Sequence, residues 1–209
     1  DAACYSHQPV KIITSAEGGI VTTNDEAVYQ NLIMNRTHGI TKDPKIMSNS
    51  SPEPWEFEQH HLGYHYRITD IQCALGLSQM KRLDTYIDKR RALVERYNKK
   101  LNELPLILPK EPENAYSSWH LYVVQIDTEK TSISKEQLFH RQREQGIGVN
   151  VHYIPVHTHP YYKKLGFEKG AYKHSEEYYQ NAITLPLFPT LSESEQDLIC
   201  DAIKAEFNA

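Results

Sequence analysis

One lysine stands out as a candidate for covalent chemistry. Lys11 lies in the segment SHQPVKIITSAEGG, which is otherwise poor in charge, between the end of a predicted strand and a pair of glycines. Schiff-base chemistry needs an uncharged amine that is presented to a carbonyl in a fixed position, and the rigid Pro9 and Val10 before the lysine suit that need. By residue type alone, a solvated surface lysine is the commoner interpretation.

Three histidines form the pattern H-x4-H-x-H, which resembles the spacing of metal ligands: His152, His157 and His159. A period of two places only two of them on one face of a strand, no cysteine or acidic ligand accompanies them, and no HExxH helix occurs. The three cysteines are widely separated and predict neither a disulfide framework nor a zinc site. We therefore predict no metal.

Helix-capping residues and the spacing of apolar residues predict the strands and helices of the first half of the chain. GGIVTT predicts a strand ended by Thr23, which with Glu26 predicts the capped start of a helix. Residues 41–61 predict a long surface loop, either a binding or lid segment or a mobile connector. From Thr69, the apolar spacing of three, four and seven predicts one long helix to Leu101 that bridges two domains or bends where they meet.

The second half of the chain predicts a small α/β domain. WHLYVVQI predicts a strand, Ser134 with Gln137 predicts the capped start of a helix, and IGVNVHYI predicts a second strand, in a β-α-β arrangement. A last helix is predicted from Ser192, with Glu195 in the capping position.

Composition restricts the class of protein. The chain has 209 residues, 39% of them apolar, a formal net charge of -4, and interspersed acids and bases. This distribution argues against nucleic acid as a partner. Because no apolar run approaches the roughly 18 to 20 residues that span a bilayer, we expect a soluble, cytoplasmic protein without a membrane segment.

Four segments, in order along the chain, resemble the DegT/DnrJ/StrS family of sugar aminotransferases. The first is YSHQPVKIITSAEGGIVTTND, in which Ser6, Lys11, Glu17, Gly18 and Gly19 match the segment that carries the family's cofactor lysine. The others are LGYHYRITDIQCALGLSQMKRLD, GIGVNVHYIPVHTHPYY and LPLFPTLSESEQ. The resemblance implies a fold-type-I α/β transferase that uses pyridoxal 5'-phosphate, and it covers nearly the whole chain.

The resemblance also implies roles for individual residues. Lys11 would hold the cofactor covalently and move a proton, and Ser6 would donate a hydrogen bond to the cofactor phosphate. His65 stands where relatives usually carry Asn and would reach the cofactor phosphate across a dimer interface, although a loop histidine without a ligand remains the alternative. Arg67, whose planar fork matches phosphate oxygens, would bind the phosphate or nucleotide of the substrate.

Further residues would lie along the sugar-nucleotide pocket by the same resemblance. These are His152, Tyr153 and His157, and Tyr64 and Tyr66 could line it too, although aromatic residues near a long helix are more often part of a core. A second departure from relatives is Gln8, where they often have His, so a substrate contact there is in doubt.

The expected molecule is the C-terminal portion of such an enzyme. Residues 1–104 would hold the end of the cofactor-binding large domain and the connecting helix, and residues 105–209 the small domain. The working form would be a homodimer that transfers an amino group, typically from glutamate, to C4 of a UDP-linked 4-keto-6-deoxy sugar in the pseudaminic-acid route. Two alternatives stay open: a non-catalytic binding or regulatory module of the same fold, and an aminotransferase for another nucleotide sugar.

Overall fold

The computed structural model describes residues 1–207, which form two compact units that divide between Leu83 and Asp84. The first unit contains two small antiparallel sheets and two helices: β1 Ala2–Ser6, β2 Gly19–Thr23, α1 Glu26–Arg36, β3 Ile40–Thr41, β4 Glu58–Gln59 and α2 Asp70–Met80. The elements that follow are α3 Leu83–Leu101, β5 Leu106–Ile107, β6 Tyr122–Ile126, α4 Lys135–Glu144, a 3-10 turn Val156–Thr158, α5 Pro160–Lys164, α6 Lys173–Asn181, β7 Ala182–Leu185 and α7 Glu193–Phe207.

The predicted long helix is interrupted. Thr69 and Gln72 form the expected capping box, in which Thr69 N donates to Gln72 Oε1 at 3.0 Å, but α2 ends at Met80 and α3 begins at Leu83. The intervening residues, Lys81 and Arg82, include neither proline nor glycine, so no local signal marks the break.

The two compact units divide after Leu83, whereas the sequence predicted a domain boundary after residue 104. Tyr97 and Leu101 of α3 are fully buried in the core of the second unit, together with residues of β6, β7, α4 and α7. Because α3 contributes its apolar face to that core, it belongs with the residues that follow it rather than with those that precede it.

The second unit is built on a three-stranded antiparallel sheet in which β6 is central and pairs with β5 and β7. The predicted strand at IGVNVHYI was wrong. Only Asn150 of that segment pairs, with Thr184, through two backbone hydrogen bonds of 3.1 and 2.7 Å. The third strand is instead the fully buried AITL segment of β7, so the predicted β-α-β arrangement is not present.

Two polar anchors organise the core of this unit. The Tyr97 and Tyr122 rings stack with centroids 4.8 Å apart, and Tyr97 donates to the Pro186 carbonyl at 2.9 Å. Burial raises the pKa of both tyrosines, so both remain protonated donors. The buried Arg90 guanidinium donates through Nη1 to three backbone carbonyls, those of Trp119, His120 and Leu187.

The helices begin at the capping residues predicted from the sequence, with one exception. Ser134 caps α4 in the predicted box with Gln137, and Ser192 Oγ accepts from Glu195 N at 3.2 Å at the start of α7. The cap of α1, however, is Asp25, whose side chain accepts from two backbone amides of the first turn, rather than Thr23. Both are good cap residues, and the carboxylate is the nearer one to the first turn.

The first unit buries little apolar surface. Met34 and Met47 are its buried apolar side chains among the described residues, and α2 buries none. Within residues 1–207, no helix combines the length and the apolar character needed to cross a membrane.

Candidate active site

Lys11 lies in the middle of a loop whose two ends are joined by hydrogen bonds. The His7 carbonyl accepts from Ser15 N and from Thr14 Oγ1, both at 3.0 Å, and His7 N donates to Gly18 O at 3.0 Å. His7 is buried, which anchors the base of the loop, whereas Lys11 is half-buried near its tip. Within residues 1–207 the Lys11 amine forms no ion pair.

The glycine pair after the loop is required by close packing. Gly18 has a φ of +139°, and a Cβ there would lie 2.8 Å from Ile68 Cδ1. A Cβ on Gly19 would lie 2.8 Å from the Tyr5 carbonyl oxygen, because Gly19 pairs with Ser6 in the antiparallel register of β1 and β2. Ser6 is exposed, and its hydroxyl has no hydrogen-bond partner in the part of the chain that the structure describes.

The GYHYR segment, residues 63–67, packs against the end of α1. Tyr64 N donates to Asn35 O at 2.7 Å, and His38 N donates to Tyr64 O at 2.8 Å. The approach depends on two glycines, because a Cβ on Gly63 would overlap the backbone of Gly39, and a Cβ on Gly39 would overlap the backbone near residue 61. The two segments, distant in sequence, thereby fix the positions of the side chains that follow them.

Two predicted site residues of this segment are in contact. The His65 ring stacks on the His38 ring, with centroids 5.1 Å apart, and its Nε2 lies 2.9 Å from Arg67 Nη2. Arginine can only donate, so His65 Nε2 is the acceptor, and the neutral ring carries its proton on Nδ1. Tyr64 and Tyr66 stack at 4.9 Å and are exposed, so in this unit they are not core residues.

In the second unit, His152 and Tyr153 present an accessible surface. His152 Nδ1 lies 2.8 Å from Thr184 Oγ1 of β7, and burial lowers the pKa of His152, which favours the neutral ring. Tyr153 packs edge-on against this ring and is 71% exposed. Among the described residues, Nε2 of His152 has no hydrogen-bond partner.

His157 is held differently. It is 7% exposed, and its Nε2 donates at 2.7 Å to Glu176 Oε1, which also accepts from Gly170 N. These hydrogen bonds lower the pKa of Glu176 and keep it ionised, and the Tyr172 ring lies 4.8 Å from the imidazole. Within residues 1–207, no group of three histidine, cysteine or acidic side chains is placed to hold a metal ion.

Sequence reasoning missed the partners of these residues. Thr184 lies 32 residues from His152, and Glu176 lies 19 residues from His157, so neither pair forms a short motif. His38 precedes a glycine at the end of α1, but nothing in that position indicated a stack with His65.

The model of the DegT/DnrJ/EryC1/StrS aminotransferase family matches residues 1–204. The chain belongs to this family. The fold class predicted from the sequence, an α/β fold-type-I transferase, is confirmed by the solved structures of such proteins that the chain resembles.

Three relatives illustrate the match. The chain is 34% identical to the spore coat polysaccharide biosynthesis protein SpsC of Bacillus subtilis, over 98% of this chain and 53% of that protein. It superimposes with a TM-score of 0.87 and 31% identity on the putative sugar aminotransferase Spr1654 from Streptococcus pneumoniae in its PMP form, over 100% of this chain and 53% of that one. The chain also superimposes on Helicobacter pylori PseC, an aminotransferase involved in the biosynthesis of pseudoaminic acid, with a TM-score of 0.87 and 27% identity. The superposition covers 99% of this chain and 53% of PseC. The chain thus spans about half the length of these relatives.

Proposed function

We propose that this chain carries the cofactor lysine of a pyridoxal-phosphate-dependent aminotransferase that transfers an amino group, from glutamate, to C4 of a UDP-linked 4-keto-6-deoxy sugar. The observation that carries the proposal is the hydrogen-bonded loop that holds Lys11, with a free amine, within a chain of this family. Support for the cofactor comes from Spr1654, which has been solved in PLP and PMP forms, and support for the substrate comes from PseC.

The side chains in the first unit fit the chemistry of the cofactor, which has an aldehyde and a phosphate. Lys11 offers an amine without an ion-pair partner among residues 1–207, as the aldehyde requires. Ser6 offers an unbonded hydroxyl, and His65 offers Nδ1–H because its Nε2 is occupied by Arg67. Hydroxyl and imidazole N–H groups are suitable donors to a phosphate.

When bound, the cofactor ring serves as an electron sink for the substrate carbon next to the transferred nitrogen. The chain's own contribution is orientation and proton transfer. Lys11 Nζ would hold the cofactor in the resting protein and, once released, accept and return a proton at the substrate carbon. The closed loop from His7 to Ser15 limits where this amine can move.

The proposed substrate-binding residues include accessible side chains, which would contact the substrate, and one buried histidine. Arg67 is exposed and would bind the phosphate or nucleotide portion, and His152 and Tyr153 would contact the sugar through the free Nε2 and the exposed ring. The buried His157 would act as a positioning residue, because its bond to Glu176 fixes the segment that follows Tyr153. The proposed working form is a homodimer, in which His65 reaches the cofactor phosphate of the other protomer.

The test is chemical trapping on Lys11. The full natural protein that contains this chain is incubated with pyridoxal phosphate, its absorbance spectrum is recorded, and it is reduced with borohydride before peptide mapping. We expect one reduced adduct, on Lys11, and its loss in Lys11→Ala. Lys45→Ala, which removes an exposed lysine elsewhere in the first unit, is the matched control and should keep the adduct.

No adduct on the unaltered protein would leave the fold assignment intact and favour the non-catalytic module. An adduct that persists in Lys11→Ala would show that another lysine carries the cofactor. If the adduct forms, turnover of UDP-linked 4-keto sugars with glutamate, compared with other nucleotide sugars, tests the substrate.

A further inference from the structure

Thr184 of β7 holds the segment that carries His152 at two points. Its Oγ1 lies 2.8 Å from His152 Nδ1. Its backbone pairs with Asn150, two residues before His152: Asn150 N donates to Thr184 O at 3.1 Å, and Thr184 N donates to Asn150 O at 2.7 Å. Because β7 is buried along its whole length, Thr184 gives this loop segment a rigid support.

The Thr184 hydroxyl is the donor in its bond to His152. Thr184 is 5% exposed, and within residues 1–207 its hydroxyl makes no hydrogen bond other than the one to His152. If Nδ1 donated instead, the hydroxyl would accept, and its own proton would be buried without an acceptor, which is unfavourable. When the hydroxyl donates, its one proton is satisfied and Nδ1 is the acceptor.

This direction fixes the position of the proton on the imidazole. A neutral ring whose Nδ1 accepts a hydrogen bond carries its proton on Nε2, and burial lowers the pKa of His152, which favours the neutral ring. Among the described residues Nε2 has no partner, so it offers a free N–H beside the exposed Tyr153 ring, which packs edge-on at 4.6 Å. Such a donor recognises a carbonyl or hydroxyl oxygen and does not recognise an ammonium group.

We propose that Thr184 is a positioning residue that keeps the proton of His152 on Nε2, so that His152 donates a hydrogen bond to an oxygen of the sugar substrate. A ring protonated on Nδ1 would turn a lone pair toward the same oxygen, and the two would repel each other. The proposal rests on the proposed function for the presence of a sugar. It adds a residue of β7 that acts on the substrate only through His152.

The first measurement is the tautomer of His152, by NMR of the full natural protein with isotope-labelled histidine ring nitrogens. His152→Gln identifies the signals, and we expect the unaltered protein to carry the proton on Nε2. Thr184→Val removes the hydroxyl but keeps the branched shape that suits a strand, so both tautomers should be populated. Thr184→Ser keeps the hydroxyl and should retain the Nε2 form.

The matched control is Thr128→Val, the same substitution at an exposed position of the second unit. Within residues 1–207 the Thr128 hydroxyl forms no hydrogen bond, so this variant should keep the tautomer and the kinetics of the unaltered protein. Urea unfolding of all four proteins shows whether Thr184→Val acts through stability alone.

The second measurement separates the two half-reactions of the amino transfer on the same four proteins. Thr184→Val should raise KM for a UDP-linked 4-keto-6-deoxy sugar about fivefold, as for the loss of one hydrogen bond, and should leave the half-reaction with glutamate unchanged. Thr184→Ser should restore KM. A purely structural role of Thr184 would affect both half-reactions together.

The proposal is overturned if the unaltered protein carries the proton on Nδ1, if Thr184→Val keeps the Nε2 form, or if the tautomer changes while KM for the sugar does not. The Lys11 adduct distinguishes this failure from failure of the proposed function. An adduct together with a tautomer that does not depend on Thr184 refutes only the role of Thr184. A Thr184-dependent tautomer without an adduct or turnover refutes the aminotransferase, and with it the sugar contact.

Discussion

By the family resemblance, His65 stands at a position where relatives usually carry Asn. The Asn side chain and the Nδ1-protonated imidazole each offer an N–H donor, so they can serve the same phosphate oxygen. The contact with Arg67 keeps that donor on Nδ1, and the stack with His38 fixes the plane of the ring. In the proposed site, His65 would therefore keep an N–H donor for the cofactor phosphate, with Arg67 and His38 holding the ring in place.

We predict that His65→Asn binds pyridoxal phosphate within a few-fold of the unaltered protein and that His65→Leu binds it about tenfold more weakly, as expected for the loss of one hydrogen bond to a charged group. The measurement is a titration of the full natural protein followed by cofactor absorbance, with circular dichroism as a check on folding. If His65→Leu binds pyridoxal phosphate as tightly as the unaltered protein, His65 does not contact the cofactor.

A single salt bridge ties the loop before β6 to helix α3. Arg91 and Glu111 form a bidentate pair with both N–O distances at 2.8 Å, and Arg91 also donates to the Ser117 carbonyl at 2.9 Å. Ser117 N donates back to Glu111, and the Tyr116 ring lies 4.1 Å from the guanidinium. Such fork geometry is the most favourable arrangement for a partly exposed ion pair.

The Arg91–Glu111 ion pair predicts that the second unit loses stability in acid. The Arg91 guanidinium and the Ser117 amide lower the pKa of Glu111 from 4.5 to about 2. Because the pKa is depressed in the folded state, the stabilisation is complete above about pH 4.5 and is lost as the pH falls toward 2. Urea unfolding of the unaltered protein and of Glu111→Gln should therefore differ in midpoint at pH 7 and converge as the pH is lowered.

Glu113→Gln is the matched control for that comparison. Glu113 is exposed and forms no ion pair among residues 1–207, so its removal should leave the unfolding midpoint almost unchanged at both pH values. A constant difference between Glu111→Gln and the unaltered protein from pH 7 to pH 2.5 would contradict the assigned ionisation.

Across the whole molecule, the two units differ in how much core they contain. The second unit encloses a cluster of buried side chains centred on Tyr97, Tyr122 and Leu185. In the first unit, by contrast, Ile71 and Leu77 of α2 are 84% and 68% exposed. A unit that buries little apolar surface gains little free energy from folding alone.

We therefore predict that a fragment of residues 83–209 unfolds cooperatively, with a urea m value of about 1–2 kcal/mol/M, and that residues 1–82 alone show no cooperative transition. Circular dichroism and tryptophan fluorescence during urea titration check this, since each fragment contains one tryptophan. A sharp transition in the 1–82 fragment would show that local hydrogen bonding, rather than core burial, stabilises the first unit.

The sequence alone determined the local features of this protein. Capping boxes at Thr69, Ser134 and Ser192, together with the apolar faces of α3 and α7, were predicted because a helix and its cap depend on residues within a few positions of one another. The family, and with it the nomination of Lys11, also followed from short contiguous segments.

Tertiary structure decided what depends on distant partners. The third strand is residues 182–185 rather than the predicted segment that contains Asn150, because strand identity rests on hydrogen bonds to another strand and not on local propensity. The burial of His157 against Glu176 arises in the same way, since it joins residues that are far apart in the chain. The close approach of the end of α1 to the GYHYR segment is likewise tertiary, because Gly39 and Gly63 leave room for the two backbones to meet.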